Sequence, residues 1–275
     1  MINGKNFDPS RTKYLGIGMM SGTSLDGLDL AAVEFVFDGG RWKAEITAAE
    51  TVAYDDAWRE RLATPPVNAE EYAKLDVDYG HWLGMQCRRF IVFHDLRPDF
   101  AASHGHTVFH RPERHFSAQI GDGETAATHL PCVLVTRFRN KDVALGGEGA
   151  PLVPFGETAL FPEHRAFLNL GGIANLTLTD AQGTASRRDL VAFDVCACNL
   201  ALNAVARRLG LEFDHDGQTA QNGRFLPDVF EALENLPYYR LPAPKSLDKR
   251  WVENEVIPLL CEKHRPEDLL HTFCT

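Results

Sequence analysis

Two glycine-bearing turns, each set between apolar strand-like runs, constrain this chain more than any other feature. Residues 14–20 (YLGIGMM) read as a buried strand, SGTSLDG follows as a turn, and 28–37 (LDLAAVEFVF) reads as a second strand. Asp38-Gly39-Gly40 turns the chain again, and 42–51 can form a third strand. About 150 residues further on the pattern returns: AFLNL from Ala166 runs into Gly171-Gly172, and IANLTLT follows. Between them, Leu75, Tyr79, Trp82, Leu83, Cys87, Phe90 and Ile91 recur at spacings of three and four, which predicts a helix over 69–94. Residues 142–154 (DVALGGEGAPLVP) read as a loop, and LVAF at 190–193 as a strand ending at Asp194. A helix follows it, with Leu202, Val205, Ala206 and Leu209 on one face and Gly210 as its stop. Strands and helices mixed in this way predict an α/β protein of two related lobes, 1–160 and 161–275.

A net charge of −10 argues against a broad nucleic-acid or anionic-membrane surface, because those partners reward Lys and Arg. It leaves room for a nucleotide held by backbone amides and a metal ion. The opening MINGKNFDPSRTK is polar and predicts no secretory signal, and no uncharged apolar run is long enough to span a bilayer. The six cysteines form no paired CxxC motif and read as reduced thiols of a cytoplasmic protein.

Five segments could carry chemistry. Gly22 and Gly27 expose backbone N–H groups around Thr23 and Ser24, a concavity that suits phosphate oxygens. Asp26 and Asp29 make sense there if Mg²⁺ lies between them and the nucleotide, often through water. The same residues are also what an ordinary hairpin turn uses. Gly171-Gly172 permit close backbone approach to a ligand, or mark a structural bulge. Asp194, at the end of an apolar run, can serve as a general base or simply as a helix cap. SHGHTVFHRP, 103–112, has three histidines without a zinc-type ligand order, and reads as sugar-pocket lining or a surface loop. Arg139 suits a bidentate grip on phosphate or carboxylate, or belongs to a solvated basic turn.

Taken in order, GMMSGTSLDGLD, ASHGHTVFHRP, SAQIGDGE, FRNKDVALGGEGAPLVPFG, FLNLGGIANLTL, AFDVCACN, DHDGQTAQNG and PKSL resemble the anhydro-N-acetylmuramic acid kinases. The resemblance implies a two-lobed ribonuclease-H-like fold of the actin, hexokinase and sugar-kinase superfamily, with the second lobe incomplete. It implies a cytoplasmic transferase of amino sugar metabolism and peptidoglycan recycling, using ATP and Mg²⁺. Its partner would be a small anhydro amino sugar rather than nucleic acid or membrane, with a homodimer allowed. Gly22, Thr23, Ser24, Leu25, Asp26, Gly27, Leu28 and Asp29 match the first phosphate-binding turn, with Asp26 toward the metal through water. Gly171 and Gly172 match the second. Asp194 matches the catalytic base, and Arg139 an arginine near the transferring phosphate. Ser103, His104, Gly105, His106 and Asn175 match the sugar site. The implied reaction has the aspartate activate water against the anomeric carbon of a 1,6-anhydro sugar while O6 takes the γ-phosphate of ATP.

The sequence also departs from the family pattern. Val195-Cys196-Ala197-Cys198-Asn199 stands where TGPGN is usual, His106 where a glutamine is usual, and Arg137 where an aspartate is usual. The chain closes at HTFCT, where the family continues into a glycine-rich adenosine-binding segment, so a non-catalytic sugar-binding remnant is the second reading. A plain two-carboxylate glycoside hydrolase is a third, in which the phosphate-type turns have no purpose. Three structural expectations follow. The two turns face one cleft. Asp194 sits at a strand end without a Lys or Arg ion pair. Trp251, Val256, Ile257, Leu259, Leu260, Leu269, Leu270 and Phe273 are left as apolar surface near the cut end.

Overall fold

A computed structural model describes residues 8–22, 25–179, 190–260 and 263–275. The chain divides into two compact units, Met1–Leu152 and Val153–Thr275.

The first unit is built on a mixed sheet of β1 (Lys13–Ser21), β2 (Gly27–Asp38), β3 (Arg41–Ala53), β4 (Phe100–Arg111), β5 (Phe116–Ile120) and β6 (Val133–Val135), with helices α1 (Asp56–Ala63), α2 (Ala69–Phe93), α3 (Gly123–Ala127) and α4 (Asn140–Ala144). Strand order is β3-β2-β1-β4-β5, with β6 also paired to β4. The chain meanders antiparallel through β1, β2 and β3, then crosses over through α1 and α2 to lay β4 parallel to β1. Strand β6 joins β4 in the same parallel sense.

Helix α2 begins where Asn68 accepts the N–H groups of Glu70 (2.8 Å) and Glu71 (3.2 Å), satisfying donors that a helix start leaves unpaired. Its Leu75, Tyr79, Leu83, Cys87 and Phe90 stripe joins Ile17, Met19, Leu28, Leu30, Ala101 and Ile120 in one core. Burying each of the larger of these side chains contributes roughly 1.5–3 kcal/mol against leaving it exposed.

The second unit opens with α5 (Val153–Leu160) and a three-stranded antiparallel sheet, β7 (Ala166–Leu170), β8 (Ile173–Leu178) and β9 (Val191–Ala197). Helices α6 (Asn199–Ala206), α7 (Pro227–Glu234), α8 (Lys249–Trp251, continued by a π-type turn) and α9 (Pro266–Phe273) follow. Gly210, at φ +74, ends the α6 segment as the sequence suggests.

The tail corrects one expectation. Val256, Leu260, Leu269 and Leu270 are not apolar surface; they are the buried core of this unit, with Ala201, Val205, Val229 and Leu233. Trp251, Ile257, Leu259 and Phe273 pack against that core. The reason lies in the packing of the unit itself: α9 and the 252–260 turns each bury one side against α6 and α7, so their apolar residues find partners within the unit.

Candidate active site

Each unit carries one cluster of the residues singled out above. In the first, β1 ends at Ser21 and the chain turns back into β2 at Gly27. Thr23 and Ser24 lie outside the described residues. Leu25 has φ +63, and its N–H donates to the Gly22 carbonyl at 3.4 Å. A Cβ on Gly27 would lie 2.5 Å from the Val52 carbonyl oxygen, so β3 demands this glycine whether or not a ligand is present. Leu28 is a core side chain, which leaves only its backbone for a ligand. The Asp29 carboxylate accepts the Thr51 hydroxyl at 2.6 Å, whereas Asp26 is exposed on the turn. Mg²⁺ keeps several waters and takes one or two carboxylates beside substrate phosphates, and Asp26 with Asp29 fits that requirement. Among the described residues no group of three or more His, Cys, Asp or Glu could hold a metal ion by itself.

Strand β4 delivers the SHGH segment, all of it buried. Ser103 accepts the Gly105 N–H at 3.2 Å. Gly105 has φ +69, and a Cβ there would meet the Ile120 carbonyl at 2.5 Å. Arg139, at the start of α4, donates Nε–H to Nε2 of His104 at 3.0 Å and Nη1–H to the Gly149 carbonyl at 2.6 Å. His104 therefore carries its proton on Nδ1, 2.9 Å from the Gly105 carbonyl. The Gly149 N–H donates to Asp142 at 2.8 Å. Arg139 and Asp142 thus hold Gly149 by its carbonyl and its N–H, and Arg139 links that loop to β4 through His104. Arg137, two residues earlier, is exposed at φ +58; hydrogen bonds from Thr125 hold the Asp122 carboxyl low, and the Arg137 charge adds a smaller downward pull there and on Asp76. Burial nonetheless raises Asp76.

Burial, with Arg139 alongside, pulls the His104 pKa down to about 4; burial, with His104 alongside, does the same to His106. Both rings are neutral at pH 7. An unfolded histidine titrates near ~6.5. The folded values are the lower ones, so as pH falls the unfolded chain takes up protons first. Stability is fully present above about 6.5 and is lost progressively toward about 4. The first of the two rings contributes on the order of 3 kcal/mol across that window. The melting temperature is expected to fall steadily from pH 7 to pH 5, and His106→Gln to flatten the slope. A pH-independent melting curve over that range would contradict two neutral, buried imidazoles.

In the second unit, Asp194 lies within β9 and not at its end, which corrects the sequence expectation. After a one-residue irregularity the ladder continues through Ala174↔Cys196 and Ile173↔Ala197. Backbone pairing ignores the aspartate that interrupts the apolar run, and the bulge beside it is a device that re-aims side chains. Asn175 pairs with Asp194 on one side and with Asn169 on the other, so three polar side chains line up on one sheet face. One Asp194 carboxylate oxygen accepts the Leu247 N–H at 2.7 Å, and its own N–H donates to the Lys245 carbonyl at 3.0 Å. Its carbonyl accepts the Tyr238 hydroxyl at 2.6 Å. Lys245 turns away, donating to the Tyr238 carbonyl at 3.1 Å with its ammonium 4.5 Å from the centre of the Tyr238 ring. Asp194 forms no salt bridge among the described residues. Burial raises its pKa, opposed by the Leu247 N–H.

The Gly171-Gly172 turn is tied to α6. The Gly172 carbonyl accepts the N–H groups of Cys198 (3.1 Å) and Leu200 (3.0 Å), and Gly171 accepts that of Asn199 (3.1 Å). The Asn199 side chain donates to the Leu170 carbonyl at 3.2 Å. Sequence reasoning quoted PKSL without giving it a role, yet it is the segment that clasps Asp194. It also passed over Ser21, Tyr54 and Tyr79, which bond to one another beneath His106, and Gln119, whose amide donates to Ser117 at 2.7 Å. Tyr54 and Tyr79 carry no signal beyond that of core aromatics.

A family model described as anhydro-N-acetylmuramic acid kinase matches residues 13–275. A protein of that name from Rhodospirillum rubrum is 40% identical over 242 residues, covering 85% of this chain and 63% of its own length. One from Xanthomonas axonopodis pv. citri is 39% identical over 246 residues, covering 84% and 64%. One from Methylorubrum extorquens is 36% identical over 270 residues, covering 87% and 69%. The chain thus spans just under two thirds of the length of the first two. Among solved structures, the Aquifex aeolicus PPX-GPPA enzyme overlaps 71% of this chain and 56% of its own at 8% identity and a TM-score of 0.30, too slight a likeness to carry an argument.

Proposed function

The chain belongs to the anhydro-N-acetylmuramic acid kinase family, and from that membership we propose that its protein opens 1,6-anhydro-N-acetylmuramic acid with water and phosphorylates O6 from ATP. The observation that carries the chemistry is the state of Asp194: a carboxylate raised by burial, steadied by one backbone N–H, with no cation paired to it among the described residues. A base held in a tight ion pair would be too weak near neutral pH. Asp194 takes a proton from water as the water oxygen bonds to the anomeric carbon. The bond from that carbon to O6 breaks, O6 bonds to the γ-phosphorus, and ADP leaves. The products are N-acetylmuramic acid 6-phosphate and ADP.

The remaining roles follow from chemical type. Asn175, beside Asp194, and Ser103, His104, Gly105 and His106 supply hydrogen bonds to the sugar. Arg139 supplies positive charge for the transferring phosphoryl group. The turns at 22–29 and 171–172 approach the nucleotide phosphates through their backbone. Asp26, through water, and Asp29 would hold Mg²⁺, which neutralises charge on the phosphates when bound. The strand order β3-β2-β1-β4-β6, with β2 alone antiparallel to its neighbours in that series, supports the ribonuclease-H-like reading of the first unit. No helix among the described residues is long and apolar enough to cross a membrane, and the proposed setting is cytoplasmic peptidoglycan recycling.

The test is a product assay on the protein that carries this chain, with the anhydro sugar, with and without MgATP. The proposal expects the 6-phosphate, formed only when MgATP is present. Ring opening without ATP would make it a hydrolase. Sugar binding by calorimetry with no turnover would make it a binding protein.

A further inference from the structure

Three hydroxyls stand in file beneath His106. The Tyr79 and Tyr54 hydroxyls are 2.5 Å apart, Tyr54 donates to Ser21 Oγ at 2.8 Å, and Ser21 Oγ is 3.0 Å from Nδ1 of His106. None of the four residues is more than 4% exposed. They come from α2, the residue after β3, the end of β1, and β4, so four elements meet at this one file. Ser21 and His106 are register partners in the parallel β1–β4 ladder. The Tyr79 ring meets His106 edge-on, with centroids 6.4 Å apart.

The direction of the protons follows from counting them. Each hydroxyl has one. Tyr54 gives its proton to Ser21, so the Tyr79–Tyr54 bond uses the proton of Tyr79. Ser21 accepts from Tyr54 and keeps its own proton to give. Nδ1 of His106 is the acceptor within hydrogen-bond reach. Burial raises both tyrosines, which keeps the file protonated. A neutral imidazole that accepts at Nδ1 carries its hydrogen on Nε2. Nε2 has no hydrogen-bond partner among the described residues.

We propose that Tyr79, Tyr54 and Ser21 are positioning residues that fix His106 as an Nε2–H donor for an acceptor oxygen of the bound sugar. The sugar rests on the function proposed above; the tautomer does not. A neutral histidine so fixed can only donate at Nε2. The site therefore discriminates at that point against an analogue that lacks the oxygen or presents only N–H groups there, because the ring's donor would be left unpaired.

Long-range proton–nitrogen NMR on histidine-labelled protein, with His106 assigned by its loss in His106→Gln, reads which ring nitrogen is protonated. The wild-type spectrum alone decides the first half. An Nε2–H tautomer is expected. An Nδ1–H tautomer, which would arise if Ser21 turned its proton back toward Tyr54, overturns the relay. Ser21→Ala is expected to give a mixture of tautomers and roughly tenfold weaker sugar binding, one hydrogen bond's worth. Ser21→Thr, which restores the hydroxyl, should restore the single tautomer. A pure Nε2–H signal persisting in Ser21→Ala would also overturn the relay. Titration with 1,6-anhydro-N-acetylmuramic acid should shift the Nε2–H resonance. If the sugar binds by calorimetry and that resonance stays still, the donor role is wrong. If the sugar does not bind at all, the proposed function fails while the tautomer result stands.

Discussion

Asp194→Asn is expected to lower ATP-dependent turnover of the anhydro sugar by roughly a thousandfold or more, within the range that a positioned general base contributes. The fold should survive, because the amide is nearly isosteric and its oxygen can still accept the Leu247 N–H. That bond also fixes the outcome. With the amide oxygen turned to Leu247, the NH₂ occupies the place of the other carboxylate oxygen, so a donor stands where the base needs an acceptor. The loss should fall on kcat, with sugar affinity little changed. Melting temperature and steady-state kinetics measured on the same preparation check both halves. Wild-type rates in a folded Asp194→Asn protein would rule out the base role.

Arg139→Lys should cost about a hundredfold or more in kcat/KM, comparable to losing one preorganised donor to a developing charge. The substitution keeps a cation and removes the fork. One ammonium cannot reproduce the Nε–H bond to His104 and the Nη1–H bond to Gly149 in the geometry that holds both. Hydrogen bonds from charged groups contribute roughly 1.5–3 kcal/mol each, so stability should fall as well. The Gly149 amide should then exchange with solvent faster, because its loop loses one of two anchors. A Lys variant with unchanged kcat/KM would show that the arginine serves only to fasten the loop.

Much of the first unit is legible in the sequence because its elements obey one period each. The apolar runs at 14–20 and 28–37 and the three-and-four spacing from Leu75 to Ile91 lead directly to β1, β2 and α2. The surroundings of the proposed base are less legible. An aspartate after VAF looks like a strand end, yet the pairing of Cys196 and Ala197 depends on backbone groups that sequence composition does not report. Leu247 and Lys245 reach Asp194 from more than fifty residues away (Asp194 to Leu247 is a separation of 53), a contact that no local pattern encodes. The tail fails for the opposite reason. Leu269 and Leu270 have an ordinary amphipathic setting in α9, and proximity to the last residue says nothing about what covers them.

Gly105 has a practical consequence for anyone wishing to redirect this protein to another sugar. Its φ of +69 and the Ile120 carbonyl at its missing Cβ mean that any side chain there would strain the backbone or push β4 away from β5. Its neighbour at 106, also in β4, has no such restriction on backbone conformation, and a change there alters which hydrogen bonds the strand can make while its backbone keeps its path. A mutant library that varies residue 106 with the glycine held constant would therefore sample new polar chemistries on an unchanged scaffold, whereas one that randomises both would consist mostly of misfolded clones.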